Sequence, residues 1–248
     1  AKIPSMIAAD FRYRNKKRRI PPRADLSIAE NFFHMCFGKV PSKPVVKAFD
    51  VSLILYAEHS FNASTFASRV ITSTRSDIYS AVVGGIGALK GPLHGGANEA
   101  VMEMMKKIKT PKNAESWIRR AMLNKELIMG FGHRVYKNGD SRVPTMKKCL
   151  EDLTQWSGED KWLGIYNILA DIFINEKGIY PNLDFPSGPA YYLMGFPINL
   201  YTPIFVMARV AGWSAHFIEQ NANNSLIRPL SSYTGKSQRK VGKISERK

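Results

Sequence analysis

Residues 202–218 read Thr202-Pro-Ile-Phe-Val-Met-Ala-Arg209-Val-Ala-Gly-Trp213-Ser-Ala-His216-Phe-Ile218, an apolar run interrupted by one arginine. Threonine followed by proline is a capping residue ahead of a first helical position, so the run predicts a helix opening at Thr202. Because it is apolar nearly all the way round, that helix is expected among other helices and not on a surface. A buried guanidinium is costly without a counter-charge, and neither Asp nor Glu lies within one turn of Arg209. Its partner is expected elsewhere in the fold, or in a ligand.

Outward from this run the helical pattern continues. Asp25 to Met35, Val45 to Glu58 and Ser64 to Ala88 all read as helices. From Asn98, the residues Val101, Met104, Met105 and Ile108 fall at i, i+3, i+4, i+7, which starts a helix just after Gly95-Gly96. Trp162, Ile165, Tyr166, Leu169, Ile172 and Phe173 give another amphipathic helix, stopped by Gly178. Pro181 to Pro189 reads as a breaker-rich loop. With no strand pattern and no internal repeat, the fold class is all-α.

A chain of 248 residues with 44% hydrophobic side chains can bury one large core or two smaller lobes without disulfides or metal. Cys36 and Cys149 have no CxxC partner and read as structural thiols of a reducing compartment. No apolar run is long enough for a membrane span, so no membrane role is assigned. The net charge of +16 is local: residues 11–23 hold seven cations and no acid, and residues 236–248 hold six cations and one acid. Those segments read as solvated tails or localisation patches; no recognition-helix pattern accompanies them, so no nucleic-acid partner is assigned. Net positive charge also attracts small anions. The opening residues lack an initiator methionine and read as the middle of a helical pattern, so an upstream portion is expected.

The chemistry-bearing residues sit on glycine- and proline-rich segments between helices. His94 lies in Gly91-Pro-Leu-His-Gly-Gly-Ala-Asn-Glu99, where an imidazole between glycines has no packing reason to be. Downstream come Gly130-Phe-Gly-His133, Arg142, and Tyr180-Pro-Asn-Leu-Asp184-Phe-Pro-Ser-Gly-Pro189. With His59, Arg209 and Arg228 the candidates are three histidines, one carboxylate and three arginines. His34 and His216, on apolar helical faces, read as core histidines. There is no nucleophile elbow, HExxH or P-loop, and three dispersed histidines lack metal-ligand spacing, so no metal is assigned. Three arginines suit a di- or tricarboxylate, since each guanidinium can grip a carboxylate with two parallel hydrogen bonds. One carboxylate base with a neutral histidine suits proton abstraction beside a carbonyl; a nearby helix N-terminus would keep His94 neutral.

Four ordered motifs, Gly-Pro-Leu-His94-Gly-Gly-Ala-Asn-Glu, Met-Gly-Phe-Gly-His133-Arg-Val-Tyr, Pro-Asn-Leu-Asp184-Phe-Pro-Ser-Gly-Pro and Ile-Arg228-Pro, resemble the citrate synthase family over about residues 1 to 235. The segment from His133 to Met146 leans towards the bacterial 2-methylcitrate synthases and dual-specificity citrate synthases. The resemblance implies a two-domain helical fold, with a large domain from residues 1–95 and 196–248 and a small domain from 96–195, the active site lying in the cleft between them. It implies that Asp184 removes a proton from the acyl carbon of acetyl-CoA or propionyl-CoA while His94 hydrogen-bonds the thioester oxygen. His133 would polarise the ketone of oxaloacetate, and His59, Arg142, Arg209 and Arg228 would hold its carboxylates, with Phe205 packed on the bound acid. Met129, Gly130, Phe131, Gly132, Lys137 and Asn182 would contact CoA. The product is 2-methylcitrate or citrate with release of CoA; no cofactor is implied, acyl-CoA being a co-substrate. A homodimer is also implied, with Arg228 reaching the neighbouring subunit's site, in the cytoplasm or, in a eukaryote, the mitochondrial matrix.

Three departures from the family pattern stand out, one being a basic stretch at residues 14–19 that is heavier than the family pattern and has no mechanistic assignment. The chain is about a third shorter than a usual member, at its N-terminal side, which leaves open a non-catalytic relative acting as an assembly or interaction protein. Asp140-Ser-Arg142 replaces the more usual Asp-Pro-Arg, so a looser turn is expected there.

Overall fold

The computed structural model describes residues 2–247, with Ala1 and Lys248, the outermost residues of the expected large domain, lying outside the described residues. Eleven α-helices dominate them: α1 (Ile3–Arg14), α2 (Ile28–Phe37), α3 (Lys43–Ala57), α4 (Ala63–Ser73), α5 (Ile78–Leu89), α6 (Ala97–Ile108), α7 (Pro111–Leu123), α8 (Val143–Ser157), α9 (Lys161–Lys177), α10 (Asp184–Leu193) and α11 (Tyr201–Ala222). The only β pairing among the described residues is an isolated antiparallel bridge between Phe131 and Pro181.

The helix ends follow local chemistry. Ser27 and Glu30 form a reciprocal capping box at the start of α2. Gly178 closes α9 in the left-handed conformation. The helix expected over Ser64 to Ala88 is two helices: α4 ends at Ser73, Arg75 takes a positive φ, and Asp77 caps α5 by accepting from the Ser80 N–H. A Ser-Thr-Arg-Ser-Asp run supplies polar side chains that compete for the backbone, which is the physical reason for the break.

Two other expectations are corrected. The stretch 181–189 is not a loop throughout, because α10 begins at Asp184; Pro186 falls in its first turn, where the missing N–H has no helical partner to lose. The last long helix starts at Tyr201, after a 3₁₀ turn over Ile198–Leu200, so Thr202 is not its cap. Thr202 instead ties two helix starts together: its N–H donates to Glu99 Oε1 at 3.0 Å and its hydroxyl to the Gly95 carbonyl at 3.2 Å.

One group of helices gathers α3, α4 and α5 around α11, with α1 and α2 alongside; a second gathers α6 to α10. Contacts of α3 with α8 and of α6 with α11 join the groups. A single hydrophobic core runs through both, and includes an aromatic cluster of Phe32, Phe33, Phe49 and Phe196 with ring centroids 4.6–5.9 Å apart. Fully burying each such ring stabilises by roughly 1.5–3 kcal/mol. Where α11 crosses the end of α3, Gly212 permits close approach: a Cβ there would lie 2.5 Å from the Ala57 carbonyl oxygen. That contact brings Arg209, one turn earlier, against the last turn of α3.

Candidate active site

Five segments converge on one cavity of about 260 Å³, lined by Tyr56, His59, Leu93, His94, Ala97, Gly132, His133, Arg134, Arg142, Asn182, Leu183, Asp184, Phe205 and Arg209. Residues as far apart in sequence as Tyr56 and Arg209 thus share a space suited to a small polar ligand. Among the described residues no cluster of His, Cys, Asp and Glu could hold a metal ion.

Asp184 stands at the N-terminus of α10, where Asn182 Oδ1 accepts from its N–H at 3.1 Å. Asn182 also donates through Nδ2 to the Gly132 carbonyl at 3.0 Å, and its N–H donates to the Gly130 carbonyl at 2.9 Å. These bonds, with the Gly132 N–H on the Tyr180 carbonyl, stitch the loop before His133 to the loop before Asp184. Gly130 has a φ of +84°, and a Cβ on it would meet Val101 Cγ2 at 2.7 Å and Phe185 Cβ at 2.8 Å, so only glycine fits this junction. The Asp184 carboxylate keeps a face on the cavity yet is surrounded by protein. Burial pushes its pKa up to about 6, against the lowering effect of the Tyr56 hydroxyl and of Arg142 and Arg209.

His94 lines the same cavity. Its Nε2 accepts from the Ser64 backbone N–H at 3.3 Å and lies 2.9 Å from Ser64 Oγ. That N–H is in the first turn of α4 and cannot rotate away, so Nε2 is the accepting nitrogen and the ring proton sits on Nδ1. The His94 ring thus meets the N-terminus of α4, while its backbone meets that of α6, the Ala97 N–H donating to the His94 carbonyl at 3.3 Å. Burial, reinforced by Arg209, pushes its pKa down to about 4, so the ring is neutral at pH 7. Trp213 Nε1 donates to the same Ser64 hydroxyl at 3.1 Å and fixes it.

The other two histidines of the cavity, His59 and His133, form a pair that lines it with the arginines. His133 Nδ1 accepts from the N–H groups of Val135 and Tyr136 at 3.0 and 3.1 Å, which leaves its proton on Nε2. That nitrogen is 2.9 Å from His59 Nε2. Burial, with Arg142 and His133 beside it, pushes the pKa of His59 down to about 4; burial also lowers that of His133. Arg142 is gripped by Asp140 at two points, 3.0 Å from Nε and 2.7 Å from Nη2. Asp140 is buried and also accepts from the N–H groups of Arg142 and Leu183 at 3.0 and 3.1 Å, so the Asp-Ser-Arg turn is tightly held and not loose. Arg209, 1% exposed, donates through Nε to the Tyr56 carbonyl at 2.6 Å and stacks over Phe205 at 4.7 Å. Its Nη1 is buried and finds no protein partner. A buried cation with an unpartnered donor, in a cavity that it shares with three histidines, has the chemistry to take an anion.

Residues 1–230 match the family described as citrate synthase, C-terminal domain. This chain belongs to the citrate synthase family. It is 58% identical to a citrate synthase of Mycolicibacterium smegmatis, over 97% of this chain and 64% of that protein. It is 60% identical to a 2-methylcitrate synthase of Mycobacterium tuberculosis, over 96% of this chain and 61% of that protein. The chain thus spans less than two thirds of the length of these relatives. In three dimensions it resembles a citrate synthase of Thermoplasma acidophilum solved as a ternary complex with carboxymethyl coenzyme A and oxaloacetate, with a TM-score of 0.93 and 40% identity, covering 99% of this chain and 67% of that one. These relatives give no support to the non-catalytic assembly reading.

Of the residues that the citrate synthase resemblance points to, His59, His94, His133, Arg142, Asp184, Phe205 and Arg209 line the cavity together with Gly132 and Asn182. Met129 and Phe131 are not among the lining residues but pack against the hydrophobic core, Phe131 on Phe185 with ring centroids 4.4 Å apart, and Gly130 is set against Val101 and Phe185. Lys137 is exposed beside the cavity, and Arg228 is exposed and outside it. His216 is not a core histidine: it bonds Glu58 Oε1 at 3.0 Å and Arg69 at 2.8 Å. His34 is only half-buried. Sequence reading missed Tyr56, Ser64 and Asp140. Of these only Asp140 carried a signal, its place two residues before Arg142.

Proposed function

We propose that this site condenses an acyl-CoA, propionyl-CoA or acetyl-CoA, with oxaloacetate, and that the thioester is then hydrolysed to give 2-methylcitrate or citrate and CoA. The observation that carries this is the pairing, in one small cavity, of a carboxylate whose pKa is pushed up to about 6 with a histidine held neutral with its proton on Nδ1. Asp184 takes the proton from the carbon next to the thioester carbonyl, and His94 Nδ1–H stabilises the oxygen of the resulting enol. The enol carbon attacks the ketone of oxaloacetate, while His133 Nε2–H donates to that ketone oxygen as it becomes an alkoxide. Arg142, Arg209 and His59 hold the carboxylates, over Phe205. Water then cleaves the thioester and CoA leaves as the thiol.

Met129 to Gly132, Lys137 and Asn182 would take CoA, and the domain division at residues 95/96 and 195/196 would place the cleft at this cavity. Closure of that cleft would exclude water until the carbon–carbon bond is made. A homodimer belongs to the proposal. Its support is the set of exposed apolar side chains on α4, α5 and α11, Phe66, Tyr79, Val83 and Ile218. The segment after α11 is pinned to the end of α4 by the Ile227 N–H on Ser73 Oγ at 3.0 Å, which leaves Arg228 free to reach a partner's site. A cytoplasmic setting rests on the bacterial source of the relatives.

The deciding experiment measures CoA thiol release with oxaloacetate, from acetyl-CoA and propionyl-CoA in parallel. Release that disappears in Asp184→Ala with the fold intact supports the reading, and the preferred acyl chain names the product. No release from either thioester by a folded full-length protein overturns it.

A further inference from the structure

Tyr56 is the largest feature of the cavity that the proposed chemistry leaves without a role. It is 1% exposed and reaches the site from the last turn of α3. Its hydroxyl donates to Asp184 Oδ1 at 2.6 Å, a charge-assisted geometry, and its carbonyl accepts from Arg209 Nε at 2.6 Å. Its ring is locked between Phe205, with centroids 4.3 Å apart, and Tyr191 at 6.5 Å. We infer that Tyr56 is a positioning residue for this site: through its side chain it holds the carboxylate of the base, and through its backbone it holds the anion-binding arginine, so that one residue sets the two in register. The inference rests on the proposed condensation for the roles of Asp184 and Arg209.

The physical argument starts from the carboxylate. With Oδ1 engaged by a phenol that cannot turn away, Oδ2 is the oxygen left to take a proton, and the plane of the carboxylate is fixed. A phenol donating to the ionised form also opposes the burial that disfavours it. The other charged groups acting on Asp184 are Arg142 at the start of α8, Arg209 on α11 and Asp140; Tyr56 is its only hydrogen-bonding side chain from α3. Removing the hydroxyl leaves the arginines in place, so the effect of the phenol is separable from theirs.

The test uses the full-length protein with ¹³C-labelled aspartate, Asp184 being assigned through Asp184→Asn, and reads the titration midpoint of that carboxyl. Tyr56→Phe keeps the ring and the Arg209 contact, and is expected to raise the midpoint by about one pH unit. Replacing Tyr56 by 3-fluorotyrosine, a stronger donor, is expected to lower it; opposite shifts from two near-isosteric rings are not produced by loosened packing. In turnover, Tyr56→Phe is expected to lower kcat/KM for the acyl-CoA about fivefold at pH 6, with most of the loss recovered at pH 8, while KM for oxaloacetate stays within about twofold. A midpoint unmoved by both replacements overturns the inference. Absence of turnover in the unmodified protein would count against the condensation instead, and the carboxyl titration still decides the role of Tyr56.

Discussion

The Nε2 atoms of His59 and His133 lie 2.9 Å apart, and the two backbone N–H groups on His133 Nδ1 determine which of them carries the proton. His133 is the donor and His59 the acceptor, so the proton of His59 is on Nδ1. Nitrogen-15 shifts of the two rings at pH 7 should report one Nε2–H and one Nδ1–H neutral imidazole. An imidazolium signal from either ring at that pH would contradict the assignment.

Acid should destabilise the fold in a defined window. His59 and His94 have folded values of about 4 against an ordinary 6.5, so between those limits the unfolded chain binds protons that the folded chain refuses. Their contribution is complete above about pH 6.5 and is lost as pH falls towards 4. Asp184 acts in the opposite sense, since its raised value favours the folded state as pH falls from 6 towards 3.8, but one carboxyl faces two imidazoles. Thermal melts from pH 7 to 5 should show a falling Tm, with a smaller fall in His94→Gln. A flat or rising Tm would refute this account.

Asp140→Asn should separate the turn from the site it supports. Four N–H groups from Arg142 and Leu183 converge on Asp140, two on each oxygen, so the substitution sets an amide NH₂ against two of them and leaves a largely buried guanidinium without its counter-charge. Breaking such a pair from one side costs about 3–5 kcal/mol. Urea unfolding should show a loss of that order, and KM for oxaloacetate should rise by more than kcat falls. Unchanged stability would mean that Asp140 and Arg142 do not depend on each other.

Arg209→Met should expose a trade between stability and binding. The arginine is desolvated, its single protein hydrogen bond goes to a neutral carbonyl, and burial with Arg142 nearby pulls its pKa down to about 10. An apolar side chain of similar length removes that desolvation and packs on Phe205, so unfolding free energy should stay level or rise by about 1 kcal/mol. Calorimetric binding of oxaloacetate should weaken by roughly tenfold or more. A variant that unfolds readily yet binds normally would show the arginine to be structural.

Much of this protein was written in local sequence. Periodicity placed α6 and α9, Gly178 closed α9 as its composition required, and the glycine setting of His94 marked it within its own segment. Those features depend on residues within a turn or two of one another, so spacing alone encodes them. The anomaly of Arg209 was also visible, because a cation in an apolar helix needs a partner wherever the chain goes. Its partner was not: the structure supplies the Tyr56 carbonyl, 153 residues away, and leaves one donor open. Tyr56 itself carried no local signal, since nothing in Leu-Ile-Leu-Tyr56-Ala tells a buried ring from one whose hydroxyl meets a carboxylate 128 residues later. Likewise Ser64 gained its bond to His94, and His94 its neutral tautomer, only when α4 was laid against the turn before α6. Sequence determined which helices form and which side chains have no reason to be where they are; tertiary packing decided which fixed donors meet them, because burial and hydrogen-bond direction exist only once distant segments share a cavity.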